Sequence, residues 1–230
     1  MKMLFKSLGL IFGLLGFISI LILLPVYKLG MAGNSIVIFL AISYFVFFLG
    51  TVWRVVWYGK LANRQDDRQV QSFSGRLSSL ITIIGLIGFH WFSLYTFSID
   101  DRIFEFNPTI ANILTVLAFS FVFASIVISQ IAIQTLGKFF DRLTIKTDHR
   151  LVTEGIYRFV RHPIYTSYIL LFLGFCTMLE SFLGLSLLFA TCVVWFGNRM
   201  TIEEKMLEER FGEEYQSYCQ QSKRLFPYIY

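Results

Sequence analysis

The chain has 230 residues, of which 56% are hydrophobic and 15% are charged, and its formal net charge is +5. Soluble domains carry roughly 25% charged residues, so this composition excludes an ordinary water-soluble globular domain. It indicates instead a protein that uses lipid as its solvent.

Six apolar segments follow one another along the chain and predict an all-α, polytopic membrane bundle of about six transmembrane helices. The first four approach or exceed the roughly 20 residues that a spanning helix needs, whereas the last two are shorter. Only Glu180 and Ser181 separate the last two, which predicts a helical hairpin that either spans or re-enters the membrane. The segments are residues 4–24, 35–53, 77–99, 110–136, 164–179 and 182–196.

The positive charges predict the orientation of these helices. All but Lys28 and Arg102 of the twenty Lys and Arg residues lie in the N-terminus, the second and fourth loops, or the C-terminal tail. Positively charged loops remain in the cytoplasm, so we expect both termini and the loop 137–162 to be cytoplasmic. The excess of positive charge is explained better by membrane topology than by a nucleic-acid surface, so we expect membrane lipids and no nucleic acid among the partners. The three cysteines have no C-x-x-C spacing, and we expect no metal site.

Few polar side chains interrupt the apolar segments. His90 lies within the third segment. Ionisable groups inside membrane-spanning helices are usually functional, which makes His90 a candidate functional residue. It is roughly 20 Å along the helix from the cytoplasmic end, and its role stays open. A polar strip on the fourth segment is compatible with hydrogen bonds between helices or with a substrate path. The strip consists of Ser125, Ser129, Gln130 and Gln134.

The chain divides after the fourth segment. Residues 1–136 are predicted to form a four-span membrane region, and residues 137–230 hold the concentrated polar motifs. After the sixth segment, apolar residues at helical spacing predict an amphipathic cytoplasmic helix. This helix is predicted to begin with a capping box at Thr201 and Glu204 and to break at Gly212.

Two polar clusters flank the predicted hairpin. Residues 149–157 read H-R-L-V-T-E-G-I-Y and residues 161–165 read R-H-P-I-Y, while residues 199–204 read R-M-T-I-E-E. The two helices of the hairpin run in opposite directions, so the chain returns to the membrane face from which it started. Both clusters therefore lie at one face, where they can form a pocket between water and lipid. Proline suits the first position of a helix, so Pro163 predicts a helix start whose positive dipole end favours an anionic group.

This ordered set of motifs resembles the isoprenylcysteine carboxyl methyltransferase family, whose wider group includes phospholipid methyltransferases. The shared pattern is H-x-L-V-T-x-G-x-Y, R-H-P-x-Y, a hairpin and E-E-x-x-L, followed by F-G-E-E-Y and L-F-P-Y-I. It covers roughly residues 135–230. The resemblance implies a membrane-embedded enzyme that transfers a methyl group from S-adenosylmethionine to a lipophilic small-molecule or lipid substrate. One departure is Ser167, where family members often have Gly.

The resemblance also implies the site residues. Arg199 matches the position that faces the methyl acceptor, where a guanidinium can anchor a carboxylate. An amine or phenol acceptor would instead need a proton acceptor, for which His162 and Glu204 are candidates. The implied cofactor-binding residues are His149, Arg150, Leu151, Val152, Tyr157, His162, Pro163, Ile164, Tyr165 and Glu203.

Two other functional classes are compatible with the sequence. An NADPH-dependent membrane reductase of the sterol-reductase type has a related hairpin, but it would need more basic groups for the additional phosphates. The second class is a non-catalytic membrane protein that keeps the same helical bundle. Binding of S-adenosylhomocysteine, compared with binding of NADPH, distinguishes all three classes.

Overall fold

The computed structural model describes residues 2–58, 67, 73–100, 106–140 and 150–227, and it confirms the all-α fold. A π-helical turn (Ser19–Leu23) joins α1 to α2, and 3₁₀ turns (Gly137–Phe139 and Gly155–Arg158) lie between α5 and α6. The helices are α1 (Lys2–Ile18), α2 (Leu24–Lys28), α3 (Ser35–Tyr58), α4 (Phe73–Ser98), α5 (Pro108–Leu136), α6 (Pro163–Met178), α7 (Phe182–Phe211) and α8 (Glu213–Gln221).

Several of these helices have the length and apolar character of membrane spans, which makes the chain an integral membrane protein. Helix α6 is also apolar, but its 16 residues extend only about 24 Å, less than the roughly 30 Å hydrocarbon core of a bilayer. The count of six spans therefore stays a prediction. Among the described residues, five segments are long enough to cross: Leu8–Lys28, Ser35–Tyr58, Phe73–Ser98, Pro108–Phe139 and Phe182–Phe211.

The sixth apolar segment and the helix predicted to follow it form one continuous helix, α7, of 30 residues. The prediction of a separate helix that starts with a capping box at Thr201 is therefore wrong. The Thr201 hydroxyl donates instead to the carbonyl of Gly197, one turn earlier, at 2.8 Å, as threonine does inside a helix. The predicted break at Gly212 is confirmed, because its φ of +52° favours glycine and separates α7 from the short α8.

Helix α6 is held in the bundle by close packing against α5, while α7 packs against α4. Gly174 permits the α5–α6 contact. A Cβ atom at this position would lie 2.6 Å from Val122 Cγ2 and 3.0 Å from the carbonyl oxygen of Ala118. Small residues allow membrane helices to approach this closely. The start of α6, where the polar motif R-H-P-x-Y lies, is thereby fixed relative to α5.

Polar groups inside the bundle hydrogen-bond between helices. The Gln130 amide donates to the carbonyl of Phe47 on α3 at 3.2 Å, so this member of the polar strip links two helices. His90 Nδ1 lies 2.7 Å from the carbonyl oxygen of Leu86, and Nε2 lies 2.7 Å from the Tyr44 hydroxyl. A carbonyl only accepts, so Nδ1 carries a proton, and in the neutral ring Nε2 accepts from the Tyr44 hydroxyl. This fully buried pair joins α3 to α4.

Candidate active site

The first polar cluster ends at the start of α6. Pro163 is the first residue of this helix, and the buried His162 immediately precedes it. Proline suits this position because its missing N–H would have no partner within the helix. The positive end of the helix dipole therefore lies beside His162.

The segment before α6 pairs with the C-terminal tail, defined here as residues 222–227. The backbone N–H of Arg161 donates to the carbonyl of Lys223 at 2.7 Å, and that of His162 donates to the carbonyl of Arg224 at 3.0 Å. The two strand-like stretches run parallel. The tail thus lies directly against the R-H-P-x-Y motif.

The second polar cluster meets the first through Glu203. The Tyr165 hydroxyl, in the first turn of α6, donates to Glu203 Oε2 at 2.7 Å. Arg199 Nε donates to the same hydroxyl oxygen at 3.3 Å, and His162 Nδ1 lies 3.6 Å from Glu203 Oε2. The Phe196 ring packs beside that of Tyr165, with their centroids 5.3 Å apart. A guanidinium, a phenol and a carboxylate therefore form a continuous row at the mouth of the hairpin.

His162 lies between two carboxylates. Its Nδ1 faces Glu203, and its Nε2 lies 3.1 Å from Glu204 Oε1. Burial of the ring opposes its charged form, but the hydrogen bonds and negative charges of the two carboxylates outweigh burial and raise the pKa of His162 above its ordinary 6.5. The two carboxylates therefore stabilise the doubly protonated ring, in which both nitrogens donate hydrogen bonds.

Glu204 is surrounded by positive charge. Besides His162, Arg161 Nε lies 3.3 Å and Arg224 Nε lies 3.1 Å from its Oε1 atom. Charge-assisted hydrogen bonds of this kind stabilise the ionised carboxylate. Glu204 is consequently a poor candidate for removing a proton from an amine or phenol acceptor.

The segment that leads to α6 packs on α5 and faces the site. Val152 and Tyr157 are buried in a small apolar cluster with part of α5, against which Ile164 also packs. The Tyr218 hydroxyl of α8 donates to the carbonyl of Tyr157 at 2.6 Å. Burial and the nearby negative charge of Glu203 raise the pKa of the Tyr157 phenol well above its ordinary value.

The remaining predicted residues occupy different environments. Arg150 is exposed and forms an ion pair with Glu154 at 2.7 Å, which at the surface contributes at most about 1 kcal/mol. Leu151 is half-buried, and His149 lies outside the described residues. The predicted residues that the structure brings together at the mouth of the hairpin are Tyr157, His162, Pro163, Tyr165, Arg199 and Glu203.

Several residues that shape the site were not predicted. Phe196 lies one helical turn before Arg199, and this spacing would have placed it on the same face of α7. Arg224 had no local signal, because its position depends on pairing with a distant part of the chain. Asp67, from the loop between α3 and α4, is 4% exposed and acts electrostatically on Arg199. No motif marks Asp67 in the sequence.

An apolar pocket of about 260 Å³ lies beside the start of α6. Its walls come from α5, from the segment before α6 and from the tail. Ligand pockets generally measure about 300–1,000 Å³, so this pocket suits part of a ligand rather than a whole one. Its lining residues are Ile128, Ile156, Phe159, Val160, Pro163, Thr166, Leu225 and Pro227.

Comparison with known proteins relates this site to a family of enzymes. Residues 115–209 match the isoprenylcysteine carboxyl methyltransferase family. The predicted family resemblance is confirmed. The matched region begins within α5, continues through α6 and ends near the end of α7. It therefore contains both polar clusters of the candidate site.

The curated relatives include enzymes that methylate different atoms. A probable protein-S-isoprenylcysteine O-methyltransferase of Oryza sativa subsp. indica is 35% identical over 108 residues, which are 45% of this chain and 56% of that protein. The protein-S-isoprenylcysteine O-methyltransferase of Schizosaccharomyces pombe is 44% identical over 73 residues, 31% of this chain and 30% of that protein. Methanethiol S-methyltransferase 1 of Bradyrhizobium diazoefficiens is 34% identical over 82 residues, 36% of this chain and 28% of that protein. The match thus spans about half the length of the rice relative, and less of the other two.

Proposed function

We propose that this chain transfers a methyl group from S-adenosylmethionine to a lipophilic acceptor at the mouth of the α6–α7 hairpin. One observation carries the proposal: the 2.7 Å hydrogen bond from Tyr165 to Glu203 joins the two polar clusters. Both residues lie within the region that matches a methyltransferase family. The site therefore lies in the region that matches a methyltransferase family, and it contains side chains that suit this cofactor.

The chemical groups of S-adenosylmethionine suit the residues present. The Glu203 side chain is 34% exposed, so its carboxylate has room to accept further hydrogen bonds from the amino group or the ribose hydroxyls. The aromatic faces of Tyr157 and Tyr165 attract a sulfonium cation. The start of α6, beside His162, favours the carboxylate of the methionine portion. We assign the adenine to the backbone groups of residues 150–152.

The site holds the acceptor close to the methyl group rather than removing a proton from it. S-adenosylmethionine, when bound, supplies a methyl group on a positively charged sulfur, and in-line displacement requires chiefly that the acceptor be held close to that methyl group. Arg199 is oriented by its hydrogen bond to Tyr165 and is suited to anchoring a carboxylate, which needs no base. The two carboxylates favour the protonated form of His162 and Glu204 is paired with cations, so neither side chain is well suited to remove a proton from the acceptor.

We also propose that the site opens to the cytoplasm. The concentration of Lys and Arg in the second and fourth loops and at both termini supports this orientation. The test is a cysteine introduced into the loop 137–162 after replacement of the three native cysteines. We expect a membrane-impermeant maleimide to label it only after the membrane is permeabilised. Labelling in intact cells would show that the loop lies on the outer side of the membrane and would contradict this orientation.

The proposed reaction is tested by incubating the purified protein with methyl-labelled S-adenosylmethionine and either a membrane lipid extract or an isoprenylated cysteine. We expect label in the organic phase, released as methanol by mild base, because base hydrolyses a carboxyl methyl ester. Base-stable label would show that nitrogen, sulfur or a phenolic oxygen is methylated and would overturn the carboxylate assignment. Absence of transfer to both acceptors by folded protein would contradict the proposal.

A further inference from the structure

Glu204 connects three parts of the chain that are distant in sequence. Its Oε1 atom accepts from His162 Nε2 at 3.1 Å and from Arg161 Nε at 3.3 Å, both in the segment before α6. Arg224 of the tail donates to the same oxygen at 3.1 Å and also contacts Oε2 through its Nη2 atom. One carboxylate on α7 therefore links the segment before α6 to the tail.

Glu204, Arg161 and His162 are largely shielded from water, whereas the Arg224 side chain is 36% exposed. The exposed fraction of the side chain is 14% for Glu204, 12% for Arg161 and 2% for His162. Removing one partner of a buried ion pair leaves an uncompensated charge and is strongly destabilising. Arg161 also donates through Nη1 to the carbonyls of Ser222 at 2.5 Å and Cys219 at 3.2 Å. The guanidinium of Arg161 thus holds both Glu204 and the beginning of the tail.

Backbone pairing continues the connection along the tail. The carbonyls of Lys223 and Arg224 accept from the N–H groups of Arg161 and His162, and the Thr166 hydroxyl of α6 donates to the carbonyl of Leu225. The tail then forms a wall of the apolar pocket beside α6. Its position is therefore coupled to that of His162, which faces the site.

The two adjacent carboxylates of the E-E pair have different surroundings. Successive residues of an α-helix point about 100° apart, so Glu203 and Glu204 face different neighbours. Glu203 contacts Tyr165 and keeps 34% of its side chain exposed, whereas Glu204 is more deeply buried among cations. The contacts suit Glu203 to binding a ligand and Glu204 to holding the structure around it.

We propose that Glu204 is a positioning residue that latches the C-terminal tail onto the segment before α6 and thereby fixes His162 in the cofactor site. Arg224 is the cation that the tail contributes to this latch. The effect on the cofactor rests on the proposed function, whereas the effect on the tail does not.

The latch itself is tested by amide hydrogen exchange of the full-length protein in detergent. Arg224→Ala removes the cation and leaves the backbone pairing groups in place. We expect the amides of Arg161 and His162 to exchange roughly tenfold faster, because a charge-assisted hydrogen bond contributes about that factor or more. Arg224→Lys keeps the charge and should restore most of the protection. Lys223→Ala, which removes an exposed positive charge from the same tail, should leave exchange unchanged.

The positioning role is tested by the dissociation constant of S-adenosylhomocysteine for the same variants. We expect weaker binding by Arg224→Ala, substantial recovery in Arg224→Lys and no change in Lys223→Ala. Unchanged exchange in Arg224→Ala, or an equal effect of Lys223→Ala, would overturn the latch. Faster exchange with unchanged affinity would overturn the positioning of His162. If the wild-type protein binds no S-adenosylhomocysteine, the proposed function fails and the exchange result alone decides whether the tail is latched.

Discussion

Tyr165 and Glu203 are 38 residues apart in the chain and share a 2.7 Å hydrogen bond at the mouth of the hairpin. The Tyr165 hydroxyl both donates to Glu203 and accepts from Arg199, so a single phenol joins the residue assigned to the cofactor and the residue assigned to the acceptor. The two assignments are distinguishable by substitution, because the hydroxyl donates to Glu203 and accepts from Arg199.

Glu203→Gln should weaken binding of S-adenosylhomocysteine by at least tenfold, or about 1.4 kcal/mol, while the fold is retained. The substitution keeps the shape of the side chain but removes the negative charge that attracts the amino group. Isothermal titration calorimetry in detergent measures the change. Glu214→Gln, on the exposed surface of α8, is the matched control and should bind normally. Unchanged affinity in Glu203→Gln would remove Glu203 from the cofactor site.

Arg199→Lys should reduce methyl transfer to the lipid acceptor and leave the affinity for S-adenosylhomocysteine nearly intact. A lysine ammonium keeps the charge but cannot reproduce the planar pair of donors that binds a carboxylate. The measurement pairs calorimetry with transfer of labelled methyl groups to a lipid extract. Full transfer by the variant would show that Arg199 serves only as a positive charge at the membrane surface.

The long apolar runs were sufficient to predict the four membrane segments before residue 137 and the hairpin, because such runs leave few alternatives in a membrane. It misplaced the end of α7, since hydropathy falls after Phe196 although nothing interrupts the helix before Gly212. The motifs predicted that the two polar clusters lie at the same membrane face, and in the structure His162 Nδ1 of the first cluster lies 3.6 Å from Glu203 Oε2 of the second. The partners of Glu204 could not be predicted, because the pairing of residues 161–162 with residues 223–224 is set by tertiary packing rather than by a local pattern.

The stabilising contribution of His162 should depend on pH. Because its folded pKa lies above the ordinary 6.5, its ion pairs contribute fully below about pH 6.5 and are lost as the pH rises through the raised value. The free energy of unfolding of the wild type and of His162→Gln should therefore differ most at acidic pH and converge at alkaline pH. A difference that grows with pH would contradict the protonated ring. The titratable or charged groups around His162 are Arg161, Tyr165, Glu203, Glu204 and Arg224.

Gly174→Ala should destabilise the bundle by about 1–3 kcal/mol, the range for overpacking a well-filled interior. The added methyl group would overlap Val122 and approach the backbone of Ala118, which cannot move without displacing α5. The matched control is Gly88→Ala on α4, where, apart from its chain neighbours and the adjacent turns of its own helix, no atom of the described residues lies within 4 Å of the added carbon. We expect unfolding measurements in detergent to show a loss for Gly174→Ala and none for Gly88→Ala. Equal stability of the two variants would contradict the close α5–α6 contact.

The most direct test of the account is calorimetric titration of the purified wild-type protein with S-adenosylhomocysteine and, separately, with NADPH. Because we propose that Glu203 binds the amino group of the cofactor and that Tyr157 and Tyr165 face its sulfonium, we expect saturable binding of S-adenosylhomocysteine and no binding of NADPH. Binding of NADPH alone would indicate a reductase. Binding of neither ligand by folded protein would indicate a membrane protein without this catalytic activity, and either result would contradict the proposed methyltransferase.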